Sequence, residues 1–155
     1  MRSTAARVRL VSVALLVACG CFGTVGYSKT NPTEITCGCH DPDGCYQGAA
    51  DLASASGETA ESGEDLLYFA QCACFQGSVA GCNTISHFAK DWVAACDAGE
   101  KVRDSCAIAG YVHEHGVRVP PINGRSFDRN GNLAAQSFRK ACDAGATVVC
   151  DRAAP

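Results

Sequence analysis

Ser137 and Lys140 stand three residues apart in a segment patterned as a helix, so a hydroxyl and an amine fall one turn from each other. S-x-x-K spacing suits a serine nucleophile activated by a lysine, and the chemistry would be acyl transfer. Three other stretches carry chemically capable residues. Cys37-Gly38-Cys39-His40 is one residue short of the C-x-x-C-H that attaches haem. Asp128-Arg129-Asn130-Gly131-Asn132 sets oxygen ligands at alternate positions, as a calcium loop does. His113-Glu114-His115 offers two imidazoles to a metal.

Each stretch has a plainer reading. No S-D-N or K-T-G accompanies Ser137, and Lys29-Thr30-Asn31 falls short of the latter. An amphipathic helix accounts for Phe138 and Lys140 and sets Ser137 and Lys140 outward. A calcium loop needs glycine and glutamate where this chain has Leu133 and Arg139, so 128–132 reads as a turn into a helix N-cap. Residues i and i+2 diverge on a helix, which leaves His113 and His115 as solvated side chains near a helix end; His40 and His87 are isolated. No cofactor or metal is expected.

The cysteines stand at 19, 21, 37, 39, 45, 72, 74, 82, 96, 106, 142 and 150. Cys37 to Cys45, Cys74 to Cys82 and Cys142 to Cys150 share one spacing, and Cys96 to Cys106 is slightly longer. Each is read as a disulfide bracket. Before Cys74, residues Leu66, Phe69, Ala70 and Ala73 fall on one helical face, with Ser62 and Asp65 placed as a capping box. Before Cys96 the face is Phe88, Trp92 and Ala95; before Cys142 it is Leu133, Ala134, Phe138 and Ala141. Gly77, Gly99 and Gly145 lie three residues past a cysteine, where a helix ends in a left-handed residue. A further helix, through Ala109 and Val112, ends at Gly116. The brackets therefore join helix ends to helix starts, each contributing roughly 2–3 kcal/mol by restricting the unfolded chain. Of the remaining cysteines, Cys39 is expected to pair with Cys72, leaving Cys21 free or paired between chains.

The N-terminus supplies the compartment. Arg2, Arg7 and Arg9 precede the short apolar run Leu10 to Val17, too short to span a bilayer, which reads as a signal peptide. Leu16-Val17-Ala18-Cys19 resembles a bacterial lipobox, which implies acylation of Cys19 as the mature N-terminus; cleavage nearby and an uncleaved anchor are the alternatives. Several acyl chains would hold the protein on a membrane. The expected organisation is signal peptide 1–18, small polar tether 19–36 and disulfide-rich helical domain 37–155. Removing the three arginines leaves 10 of the 13 Lys and Arg against 16 Asp and Glu, a net charge of −6. That balance, without a basic patch, disfavours nucleic acid. Leu, Ile, Val and Phe make up about 17% of the chain from Cys19, low for folding by burial alone. Disulfides are the expected compensation in an exported domain.

With these features the chain resembles the cysteine-rich bacterial branch of the Sel-one-like repeats, relatives of tetratricopeptide repeats. The matches are Ala95-Cys96-Asp97-Ala98-Gly99, Ala141-Cys142-Asp143-Ala144-Gly145, Gly44-Cys45, Gly81-Cys82 and Gly116-Val117. The resemblance implies an all-α fold of short antiparallel helix pairs, a truncated solenoid whose face takes a peptide or protein partner. Two departures from the repeat stand out. Cys82 to Cys96 is too short for a helix, a turn and another helix, so one helix is missing or a single helix runs through. Cys106 to Cys142 is lengthened by the loop 118–131, with Pro120-Pro121 and Asn123-Gly124. The expected function is a lipid-anchored binding or scaffold module of the bacterial cell envelope, contacting its partner through exposed aromatics and that loop. The competing expectation is a cell-wall-related, penicillin-binding or β-lactamase-like hydrolase using Ser137 and Lys140, which some relatives of this branch suggest.

Overall fold

Where A-C-x-x-G occurs, the backbone closes a helix the same way each time. The amide of the residue after glycine bonds the alanine carbonyl, at 2.9 Å from Ser78 to Ala73, 2.8 Å from Glu100 to Ala95 and 2.9 Å from Ala146 to Ala141. The glycine amide bonds the cysteine carbonyl, Gly77 to Cys74, Gly99 to Cys96 and Gly145 to Cys142. This is the Schellman arrangement, and it requires a left-handed residue. Gly77, Gly99 and Gly145 accordingly take φ of 98°, 74° and 96°. The cysteine thus sits in the last helical turn, and its partner lies early in the next helix.

The computed structural model describes residues 37, 41–119 and 126–154. The expected signal peptide 1–18 and tether 19–36, together with Cys19, Cys21, Cys39, His40 and the prolines and Asn-Gly of the long loop, lie outside them. The described residues are all-α: α1 (Pro42–Ser56), α2 (Gly63–Phe75), α3 (Val79–Ala98), α4 (Val102–His115), α5 (Gly131–Asp143) and a C-terminal 3₁₀ helix (Thr147–Arg152). The only strand-like pairing among them is one bridge, Val117 to Phe127. None of the helices is long and apolar enough to cross a membrane.

Each helix packs on the next in sequence, and α4 also touches α2. Helix α4 is the central element. Its run from Ser105 to Val112 is buried all round, as expected of a helix enclosed by others. Small residues allow this: a Cβ on Gly63 would lie 2.5 Å from Ile108, and one on Gly110 would enter the Phe138 ring. Phe138 and Tyr111 meet edge to face, with centroids 5.3 Å apart. A second cluster between α1 and α2 holds Cys45, Tyr68, Cys72 and Ala73.

Cysteine pairs at disulfide distance join these elements. Cys74–Cys82, Cys96–Cys106 and Cys142–Cys150 have Cα separations of 4.3, 4.7 and 5.0 Å. Between Cys82 and Cys96 a single helix, α3, runs through. The Cys37–Cys45 bracket does not form. Cys37 bonds Cys72 instead, with a Cα separation of 5.5 Å. This also replaces the expected Cys39–Cys72 pair; Cys45 is itself disulfide-bonded. The physical reason lies in where the partner cysteines sit. Cys45 lies in the first turn of α1, capped by Asp41, whose carboxylate accepts from the Gly44 amide at 2.7 Å. Cys72 is buried on α2 against α1, within reach of the chain entering that helix.

Ser62 is a second correction. It precedes α2 but makes no side-chain cap bond. Its hydroxyl donates to the Gly57 carbonyl at 2.6 Å, fastening the α1–α2 loop to itself.

Candidate functional site

Helix α3 buries Ile85, Ala89 and Cys96 in the core, which turns the adjoining stripe of Phe88, Trp92 and Ala95 toward the surface. The face expected to pack therefore forms the wall of an open groove of about 530 Å³. The α1–α2 loop contributes Glu58, and the α3–α4 turn contributes Glu100 and Lys101. Asp91 and His87 extend from α3 beside the aromatics. Phe88 and Trp92 meet edge to face with centroids 6.4 Å apart.

Trp92 is fixed from two sides. Its indole N–H donates to Glu58 Oε2 at 2.9 Å, and Lys101 Nζ lies 5.8 Å from its ring centroid. Such a contact is attractive because the ring face carries negative potential. Lys101 has φ 46° and ψ 43°, the only positive φ of a non-glycine residue among those described. Left-handed backbone is unfavourable for a side chain with a Cβ. The turn between Gly99 and α4 imposes it and aims the lysine along the groove.

A charged cluster lies elsewhere, where α2, α4 and the 3₁₀ helix meet. Arg152 bonds Glu64 through Nη1 and Nη2, both at 2.9 Å, and Glu114 Oε2 at 2.8 Å. His115 Nε2 lies 2.8 Å from Glu64 Oε1. Burial opposes the charge on Glu64, but His115 and Arg152 outweigh it and hold its carboxyl below the ordinary range. Burial, followed by the Glu64 charge, pushes the Tyr111 hydroxyl up to about 12. That hydroxyl donates to the Ala60 carbonyl at 3.1 Å, while Arg152 stacks on the Tyr111 ring 5.2 Å from its centroid.

His115 is thus a half-buried partner of Glu64, contrary to the expected solvated histidine. Burial likewise lowers the His113 pKa. Oxygen and nitrogen atoms of Glu64, Glu114 and His115 lie within 4.8 Å of one another, a spacing that could hold a cation. Arg152 already supplies positive charge to both carboxylates, so a metal would have to displace it.

The remaining motifs resolve locally. Ser137 is only 8% exposed and faces the core beside Phe138, whereas Lys140 is exposed. The expected outward serine is wrong because helix α5 buries Ala134, Phe138 and Ala141, and Ser137 falls within that arc. No hydrogen bond joins it to Lys140 among the described residues. Asn130 caps α5, accepting from the Leu133 amide at 3.0 Å. Cys37 of the haem-like stretch is bonded to Cys72. The long loop is clamped at its start by the Gln71 amide, whose Nε2 donates to the Arg118 carbonyl at 2.6 Å and whose Oε1 accepts from the Arg118 amide at 3.1 Å.

Sequence reasoning missed both the groove and the cluster. Trp92 carried a signal in being the chain's single tryptophan, but its helical phase pointed to the core. Glu64 and Arg152 are separated by 88 positions and left no local signal. No protein-family model, no curated protein and no solved structure matches the chain.

Proposed function

We propose that this chain is a lipid-anchored module of the bacterial cell envelope that binds a protein or peptide partner, built as a disulfide-bracketed helical array of the Sel-one-like kind. The observation that carries the binding reading is the α3 groove, where Trp92 stands half-buried at the surface and Phe88, packed on one side against the core, meets it edge to face. Aromatic side chains held rigid at a surface are the usual anchors of protein contacts. The four described disulfides support an oxidising, extracytoplasmic compartment. Burial of Ser137 supports a non-enzymatic role over the hydrolase alternative, since a nucleophile must reach its substrate.

Two measurements test this reading. A photo-crosslinking residue at exposed Thr84, on the groove, should trap a discrete partner in intact cells; no adduct there and none from the 118–131 loop would end the binding reading. Cys19→Ala should release the protein from the membrane fraction, and retention of an unlipidated chain would remove the anchor.

A further inference from the structure

We propose that the α3 groove captures its partner through a lysine or arginine side chain of a peptide segment, the cation seated on Trp92 among Glu58, Asp91 and Glu100. This rests on the binding reading and gives it a chemistry. Lys101 displays that chemistry within the chain, its ammonium 5.8 Å from the Trp92 centroid. Its side chain is exposed and makes no cap bond for α4, so an incoming cation would compete with it for the ring.

The charges around the ring select the sign of the ligand. Glu61 and Asp104 are paired with Arg103, and Glu64 and Glu114 with Arg152. Glu58, Asp91 and Glu100 have no such counter-ion among the described residues. Against them the groove offers one ammonium, that of Lys101. A second cation from outside would meet unneutralised carboxylates and an aromatic face together. The methylene stem of a lysine or arginine would lie along Phe88 and Ala95. An acidic segment, a phosphate or an anionic headgroup would be repelled.

The site reports on itself, because Trp92 is the only tryptophan of the chain. The full-length oxidised protein is titrated with a synthetic peptide of alternating lysine and alanine, and with its twin carrying glutamine in place of lysine. The lysine peptide should shift Trp92 emission saturably and bind more weakly as salt is raised. The glutamine twin, and the lysine peptide against an Asp91→Asn/Glu100→Gln protein, should each bind about tenfold or more weakly. Equal binding of the twins, or unchanged binding by the double variant, would overturn the proposal. So would spermidine binding as tightly as the peptide, which would replace the peptide segment by a small polyamine. The Thr84 crosslink separates the two readings. An adduct that survives Asp91→Asn/Glu100→Gln sinks the cation requirement alone, whereas loss of the adduct in that variant supports it.

Discussion

Arg152, in the 3₁₀ helix, donates from Nη2 to Oε2 of Glu64 on α2 at 2.9 Å, across 88 positions of sequence. The same guanidinium reaches Glu114 and stacks on Tyr111 and Phe138, so it ties the C-terminus to three helices at once. Arg152→Ala should therefore destabilise the fold by about 2–3 kcal/mol, since it leaves two half-buried carboxylates facing each other. Arg152→Lys should recover less than half of that, because an ammonium lacks the planar fork and the stacking surface. Urea unfolding of the oxidised protein measures both. A loss under about 0.5 kcal/mol, as for an exposed pair, would show that the cluster contributes little.

Gly110 gives a sharper test of the core. Its missing side chain is the space in which the Phe138 ring lies, and that ring is buried against Tyr111. Gly110→Ala should cost about 1–3 kcal/mol despite alanine's better helix propensity, because neither ring has room to move. Gly131→Ala, at the start of α5 with open space around it, is the matched control and should be neutral or stabilising. The same urea midpoints decide the matter, and similar values for the two variants would contradict the α4–α5 packing.

The Cys37–Cys72 bond is the point on which structure and spacing part. It closes a separation of 35 residues, against 8 for Cys74–Cys82. On chain-entropy grounds the longer loop is worth roughly 4 kcal/mol and the shorter about 2.6 kcal/mol. A Cys37→Ser/Cys72→Ser protein should accordingly unfold more readily than Cys74→Ser/Cys82→Ser. Non-reducing peptide mapping should recover a 37–72 peptide pair; a 37–45 pair would restore the bracket that spacing alone suggests.

The difference between these cases explains what was legible. Ala95, Cys96 and Gly99 lie within one turn, so helix end, staple and left-handed glycine were readable from five residues. The all-α class and the course of α4 to Gly116 followed from the same local periodicity. Cys37 reaches Cys72 through the packing of α1 on α2, and no local rule encodes that contact. Ser137 and Trp92 were misplaced by the same error of phase. On α5 the buried arc is wide enough to take in a serine, and on α3 Ile85 and Ala89 fill the core, leaving Phe88 packed at its edge and Trp92 turned out to the groove. Ser62, placed as a helix cap, instead accepts from the Thr59 amide and donates to the Gly57 carbonyl.

Acid should weaken the fold through Glu64. Its folded pKa lies below the ordinary glutamate range, so the unfolded state takes up the proton first as pH falls. The stabilisation is complete above about pH 5 and is lost as pH drops through the folded pKa. Asp65 works the other way: burial, then the neighbouring Glu64 charge, raises its pKa, so acid relieves a small cost there. Glu64→Gln removes the first contribution and reduces the second, while leaving Arg152 bonded to Glu114. The variant should be less stable than wild type at pH 7 and should approach it near pH 3. Thermal melts between those limits test the sign. A constant gap between the two proteins would mean that Glu64 keeps its arginine and histidine partners without drawing stability from its charge.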